Sequence, residues 1–179
     1  PAPICKTRAP LAARAPIDLR VNTLKADVAK VAAELAEFDA QPARWSPVGL
    51  RIETRPEAKN PPLQADPAYL KGWIEIQDER SQLAALMAGA KPGEQVVDLC
   101  AGAGGKTLAL AAGMGNHGQI HATDTDKRRL APIHARLERA GVRNVQILRA
   151  GDTAALKALG PRFDVVLADA PCTGTGTWR

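Results

Sequence analysis

Four groups of residues along this chain could do chemistry, and all are built from aspartate, glycine, lysine and cysteine. The first is Asp98-Leu99-Cys100-Ala101-Gly102-Ala103-Gly104-Gly105-Lys106-Thr107, where an apolar run empties into a glycine-rich loop. The others are Asp124, the pair Gly151-Asp152, and Asp169-Ala170-Pro171-Cys172. Each follows a short apolar stretch, so each falls where a buried strand should end. Glycines at such a point let the backbone turn tightly and approach a ligand. Ligands of open parallel sheets sit beyond the C-terminal ends of the strands, which places the four groups on one rim. Four carboxylates there suit a ligand rich in hydroxyl and amino groups better than a bare phosphate.

Three nucleotide-site readings compete for that rim. A dinucleotide loop of the form GxGxxG starting at Gly102 needs glycine where Thr107 stands. A phosphate-binding GxxxxGK[ST] loop fits at Gly105-Lys106-Thr107, and Val165 to Asp169 mimics the apolar strand whose aspartate holds magnesium. Its first glycine, however, falls on Cys100. The third reading is S-adenosyl-L-methionine. Asp124, about 20 residues beyond the glycines at the end of a second strand, is placed for ribose hydroxyls. Asp152 could accept from the adenine amino group. A sulfonium and an ammonium are favoured beside Asp98 and Asp169, where a triphosphate is repelled. Spacing favours the methyl donor and leaves the other two readings, and a purely structural glycine turn, open.

The Pro171-Cys172 pair would hold a thiol over such a donor. C5 of cytosine is a poor nucleophile; thiolate addition at C6 makes C5 enamine-like, C5 takes the methyl group, and removal of the C5 proton expels the thiol. The competing reading is a small buried hydrophobe. Cys5, Cys100 and Cys172 lie too far apart for a CxxC knuckle and the three histidines show no HExxH spacing, so no metal is expected.

The 179 residues could hold one ordinary domain, or a small module with part of a larger one. Hydrophobic residues make up 45% and aromatics 3%, so Leu, Val, Ile and Ala must fill the core. There is no apolar run of membrane-spanning length and no signal segment, which makes a cytoplasmic location with no membrane partner the default. The net charge of +5 permits a polyanionic partner. Much of the surplus falls between Lys127 and Arg149, either as a solvated helix face or as part of a nucleic-acid-facing surface.

Residues 1–16, rich in Pro and Ala, read as a linker or arm. Alternating apolar positions predict strands at Ile17–Asn22, Gly49–Glu53 and Gly72–Gln77. Val28, Val31, Leu35 and Phe38 predict a helix over 27–38 capped by Asp27. Residues 41–47 read as a turn and 55–67 as a proline-laden loop. With Trp45, Tyr69 and Trp73 as its only large aromatics besides Phe38, this module is a poor stacking face for bases, and Trp73 suits core or interdomain packing. From Asp78 a helix carries Leu83, Leu86, Met87 and Ala90 on one face, read as core. Strands at 95–99, 119–123, 144–148 and 163–168 alternate with helices at 106–112, 126–140 and 153–159, the second capped by Gly141. His134 reads as a surface residue. This rhythm implies a parallel sheet covered on both faces.

Together the stretches DLRVNTLK from Asp18, GWIEIQDERSQ from Gly72, DLCAGAGGKT from Asp98, ATDTDKRRL from Ala122 and DAPCTGTG from Asp169 resemble the RNA cytosine-C5 methyltransferase family, especially its bacterial 16S ribosomal RNA branch. The resemblance implies an α/β, class I S-adenosylmethionine-dependent methyltransferase sheet of Rossmann-like type over 80–179. A small RNA-recognition-like module over 17–79 precedes it. It assigns the cofactor loop to Cys100, Ala101, Gly102, Ala103, Gly104, Gly105 and Lys106. Asp124 takes the ribose, Asp152 the adenine side, and Asp169 the donor's methionine end and the target cytosine. The family more often has Ala-Pro at Gly102-Ala103; both pairs are small.

By the same resemblance the DNA enzymes use the Pro-Cys thiol as nucleophile. The RNA family uses a second cysteine in a Thr-Cys motif after a fifth strand, leaving Cys172 to resolve the covalent product. That motif is not in these residues. A family sheet has seven strands ordered 3-2-1-4-5-7-6 against the four read here, so the chain is expected to be a fragment truncated after strand 4, monomeric when complete and inactive alone. RNA, ribosomal RNA first, is the implied partner. The alternatives are a DNA cytosine methyltransferase, a P-loop ATPase, and an RNA-binding protein without activity.

Overall fold

The computed structural model describes residues 15–54 and 59–170, so Cys5 and Cys172 lie outside the described residues. Strands β1 (Ile17–Val21), β2 (Gln41–Pro42), β3 (Gly49–Ile52) and β4 (Ile74–Ile76) make an antiparallel sheet ordered β2-β3-β1-β4. Its apolar face carries Leu19, Val21, Leu50 and Ile74, packed against Val31 and Leu35 of helix α1 (Val28–Glu34). Asp27 caps that helix by accepting the Lys30 amide. The regular helix ends earlier than its periodicity suggests: a 3-10 turn over Ala36–Phe38 follows, closed by Asp39 at φ 51°, and sets Phe38 against the core.

The polar half of the strand alternation is buried as well. Asp18, Arg20 and Glu75 are 5%, 3% and 2% exposed, because this face packs against the second half of the chain. Arg51 Nε reaches Asp18 Oδ1 at 2.7 Å, Arg20 Nε donates to Gln77 Oε1 at 2.7 Å, and Asp18 Oδ2 accepts the Glu79 amide at 2.9 Å. Burial lowers the Arg20 pKa to about 10, so it stays charged at neutral pH. One short strand lies where the sequence reads as a turn, and one short helix begins where the proline-laden loop ends. β2 pairs with β3, and α2 (Pro67–Leu70) is capped by Asp66, which accepts the Ala68 amide, with proline in its first turn.

Strands β5 (Gln95–Asp98), β6 (Gln119–Ala122), β7 (Val145–Ile147) and β8 (Val165–Leu167) form a parallel sheet ordered β7-β6-β5-β8, or 3-2-1-4 by strand number within it. Between them run α4 (Gly105–Gly113), α5 (Lys127–Leu130), α6 (Ile133–Ala140) and α7 (Thr153–Ala158), after α3 (Glu79–Met87). Val96 and Ile120 pack on Leu110, Ala111 and Met114, while Ala122 packs with Leu108, Leu130, Ile133 and Leu137. The opposite face is less covered than the strand-helix rhythm implies. No residue of α7 is buried, and Val166 is 59% exposed.

Two helix expectations are corrected. The helix read over 126–140 is two, broken at Ala131-Pro132, since proline lacks the amide and crowds the preceding turn. Of the stripe Leu83, Leu86, Met87, Ala90, Leu83 is half-buried and Ala90, just past α3, packs on the core of the parallel sheet, but Leu86 and Met87 do not face inward. Met87 is 86% and Leu86 44% exposed, and the buried residues are Glu79, Gln82 and Ala85. The helix meets a polar interface at its N-terminal end, so its polar residues turn inward.

Candidate functional site

The glycine loop leaves β5 and is tied at once to the end of β6. The Ala101 amide donates to the Thr123 carbonyl at 2.9 Å, and the Gly102 amide to Asp124 Oδ2 at 2.9 Å. Asp124, 2% exposed, also accepts the Asp126 amide on Oδ1 at 2.9 Å, and its carbonyl takes the Gly151 amide at 3.1 Å. Three of the four sequence groups are thus joined through one residue. Gly104 caps α4 at φ +85°, and a Cβ there would stand 2.5 Å from Ile133 Cγ1, so only glycine allows this approach.

Asp98 closes β5 beneath the loop at 1% exposure. Its Oδ2 accepts the Thr107 hydroxyl at 2.7 Å, while Oδ1 has no hydrogen-bond partner among the described residues. Burial raises the pKa of this carboxyl, while the Thr107 hydroxyl, the Cys100 amide and the charge of Lys106 work the other way. Lys106 Nζ lies 2.5 Å from Asp169 Oδ2, which carries the fourth group to the same rim. Asp152 caps α7 by accepting the Ala155 amide at 2.8 Å, and with Leu99, Thr123, Asp124, Thr125, Gly151, Thr153 and Leu156 it lines a cavity of about 100 Å³. The Cys100 thiol is half-buried in the loop.

This geometry counts against the phosphate-loop reading. Thr107 is fully buried with its hydroxyl committed to Asp98, and Lys106 is committed to Asp169, so neither is presented to a magnesium-bound triphosphate. It fits a cationic nucleoside better, because an unsatisfied buried carboxylate oxygen at the rim calls for a donor carrying positive charge. Carboxylate oxygens have lone pairs to spare, so Asp124 can take hydroxyls as well as amides.

Sequence reasoning missed three supports of the loop, all on one line of α5 and α6. Arg129 Nη1 lies 3.5 Å from Asp124 Oδ2, Ile133 fills the space under Gly104, and Arg136 Nη1 donates to the Ala103 carbonyl at 2.8 Å. Their spacing of four and three residues was legible as one helix face. The apparent surplus of charge disguised it.

A parallel sheet ordered 3-2-1-4, with a glycine loop after its first strand and a buried aspartate ending its second, has the fold of the class I, S-adenosylmethionine-dependent methyltransferases. Within that class the assignment narrows. Residues 85–179 match the family described as 16S rRNA methyltransferase RsmB/F, and the chain belongs to that family. It is 37% identical over 165 residues to ribosomal RNA small subunit methyltransferase F of Cronobacter sakazakii, covering 90% of this chain and 34% of that protein. It is 35% identical over 168 residues to the 26S rRNA (cytosine-C(5))-methyltransferase nsun-1 of Caenorhabditis elegans, covering 92% and 25%. A methyltransferase homologue from Pyrococcus horikoshii superposes with a TM-score of 0.79 at 36% identity, over 94% of this chain and 54% of that one. The chain therefore spans between a quarter and a third of the length of these two curated relatives.

Proposed function

We propose that this chain carries the donor-binding part of an enzyme that transfers a methyl group from S-adenosyl-L-methionine to C5 of cytosine in RNA, ribosomal RNA first. The observation that carries the reading is the convergence of Gly102, Asp124 and Gly151 above a buried Asp98 whose Oδ1 is unsatisfied. In it, Cys100 to Lys106 wrap the donor with backbone, Asp124 takes the ribose hydroxyls, Asp152 the adenine side, and Asp98 and Asp169 face its cationic end. Bound there, S-adenosyl-L-methionine supplies an electrophilic methyl group. Residues 17–79 serve as an RNA-recognition-like module and 80–179 as the methyltransferase unit.

Catalysis on the base belongs to thiols and to Asp169. A cysteine thiolate adds to C6 of cytosine, and after methylation at C5 the C5 proton is removed and the C6–S bond breaks. Cys172 assists that release, with Asp169 holding the cytosine. No helix among the described residues is long and apolar enough to cross a membrane. We place the protein in the cytoplasm, as a monomer.

The direct test is thermal denaturation of the chain with S-adenosyl-L-methionine, ATP or NAD. S-adenosyl-L-methionine alone should raise the melting temperature; stabilisation by ATP instead would sink the reading. In a longer version with full activity, Cys172→Ser should accumulate RNA-protein adducts on denaturing gels. Methyl transfer to duplex DNA in preference to RNA would favour the DNA enzyme.

A further inference from the structure

Arg136 hydrogen-bonds both the glycine loop and the N-terminal sheet. Its Nη1 donates to the Ala103 carbonyl at 2.8 Å, while its Nη2 meets Glu75 Oε2 on β4 at 2.7 Å. Glu75 is 2% exposed, and its other oxygen takes Arg139 Nη2 at 2.6 Å. Arg139 stacks on Tyr69, its guanidinium carbon 3.7 Å from the ring centroid, and donates to the Tyr69 carbonyl, but it makes no hydrogen bond to the loop. The two arginines therefore share one buried carboxylate and differ in what else they hold. On the far side of Arg136, Gly102 and Gly104 both have positive φ; the Gly102 amide is held by Asp124, the Gly104 amide closes a turn on the Ala101 carbonyl at 2.8 Å, and this guanidinium is what holds the Ala103 carbonyl.

We propose that Arg136 is a positioning residue for the cofactor loop, through which the N-terminal module sets the loop's geometry. The inference rests on the proposed function, in that the loop is taken to hold S-adenosyl-L-methionine. Glu75 fixes the guanidinium, and the guanidinium fixes the Ala103 carbonyl, and with it the peptide whose Gly104 amide closes the loop on Ala101. Docking of the module and affinity for the donor are then linked, and each strengthens the other. A planar, multidentate guanidinium suits this two-sided contact, whereas a lysine could satisfy one side at a time.

The test compares Arg136→Gln, Arg136→Lys and Arg139→Gln in the full chain. Either glutamine variant leaves Glu75 one arginine, so both should fold. Calorimetric titration with S-adenosyl-L-methionine should show affinity falling by about tenfold for Arg136→Gln, the scale of one lost charge-assisted hydrogen bond. Arg136→Lys should fall between, and Arg139→Gln should stay within about twofold of the parent while losing as much thermal stability. Amide hydrogen exchange over Leu99–Leu108 without ligand should speed up in Arg136→Gln and not in Arg139→Gln. Equal effects of the two glutamine variants on affinity and exchange, or none from Arg136→Gln, would overturn the positioning role. A parent chain that binds no S-adenosyl-L-methionine would overturn the cofactor reading instead, and the exchange comparison would still decide whether Arg136 orders the loop.

Discussion

The Gly102 amide and Asp124 Oδ2 lie 2.9 Å apart, although 22 residues separate them in the chain. One carboxylate thereby shapes the loop, and in the proposed function it also takes the ribose hydroxyls of the donor. Asp124→Ala should lower S-adenosyl-L-methionine affinity by well over tenfold in calorimetry, because it removes a ligand acceptor and leaves the Gly102 and Asp126 amides unmatched, each worth about 1–3 kcal/mol. Asp124→Asn, which keeps one acceptor oxygen, should lose less. Unchanged affinity in the alanine variant would contradict the role.

Asp98 makes a pH-dependent prediction. Burial raises its pKa above the ordinary 3.8, so the folded chain holds this proton more tightly than the unfolded one. The stability it contributes is full below 3.8 and is lost as pH rises through the raised value, which leaves a destabilising buried charge at neutral pH. Asp98→Asn should therefore melt higher than the parent at pH 7, with the gap closing in acid, while binding the cationic donor more weakly. Lower stability at pH 7 together with unchanged affinity would refute this.

His121 acts in the opposite sense. It is 2% exposed on β6, its ring meets Phe163 edge-on at 5.7 Å, and neither nitrogen has a partner among the described residues. Burial, and next the charge of Arg162, lower its pKa below 6.5. Stability from the neutral ring is present above 6.5 and drains away as pH falls below it. Melting curves between pH 7.5 and 5 should be flatter for His121→Phe than for the parent, and an identical slope would rule the residue out as their source.

Glu75 gives the stability test. Glu75→Ala strands Arg136 and Arg139, whose side chains are 23% and 16% exposed, beside each other. Unpairing a buried ion pair costs about 3–5 kcal/mol, reduced here because both guanidiniums keep carbonyl acceptors. We expect about 3 kcal/mol, or a melting temperature lower by about 6–12 °C in a chain of this size. A loss under 3 °C would show that water reaches the pair.

Much of the fold was legible because apolar periodicity and chain punctuation agree. The β5–β8 strands, the Asp27 and Gly141 caps and the four acidic strand ends all follow from local residue types. What the chain hid was the destination of its charges. Glu75 sits at a polar position of an alternating strand, and Arg136 and Arg139 read as part of a basic helix face, yet they pair across an interface no local pattern encodes, while Asp18 is taken by Arg51 of its own sheet. Met87 failed in the converse way. Its helical spacing was correct, but which face turns inward was decided by Glu79, whose carboxylate receives the Trp45 and Ser46 amides and Arg51.

Asn22 closes the seam between the two sheets: its Nδ2 donates to the Gly72 and Ala140 carbonyls, both at 2.8 Å. A Cβ on Gly72 would stand 2.0 Å from the Arg139 carbonyl, so backbone meets backbone there with no room for a spacer. Whoever trims this protein to a minimal scaffold by cutting near residue 80 will expose a wound of unsatisfied carbonyls and guanidiniums rather than a clean surface. The two sheets have to be inherited, transplanted and redesigned as a single piece.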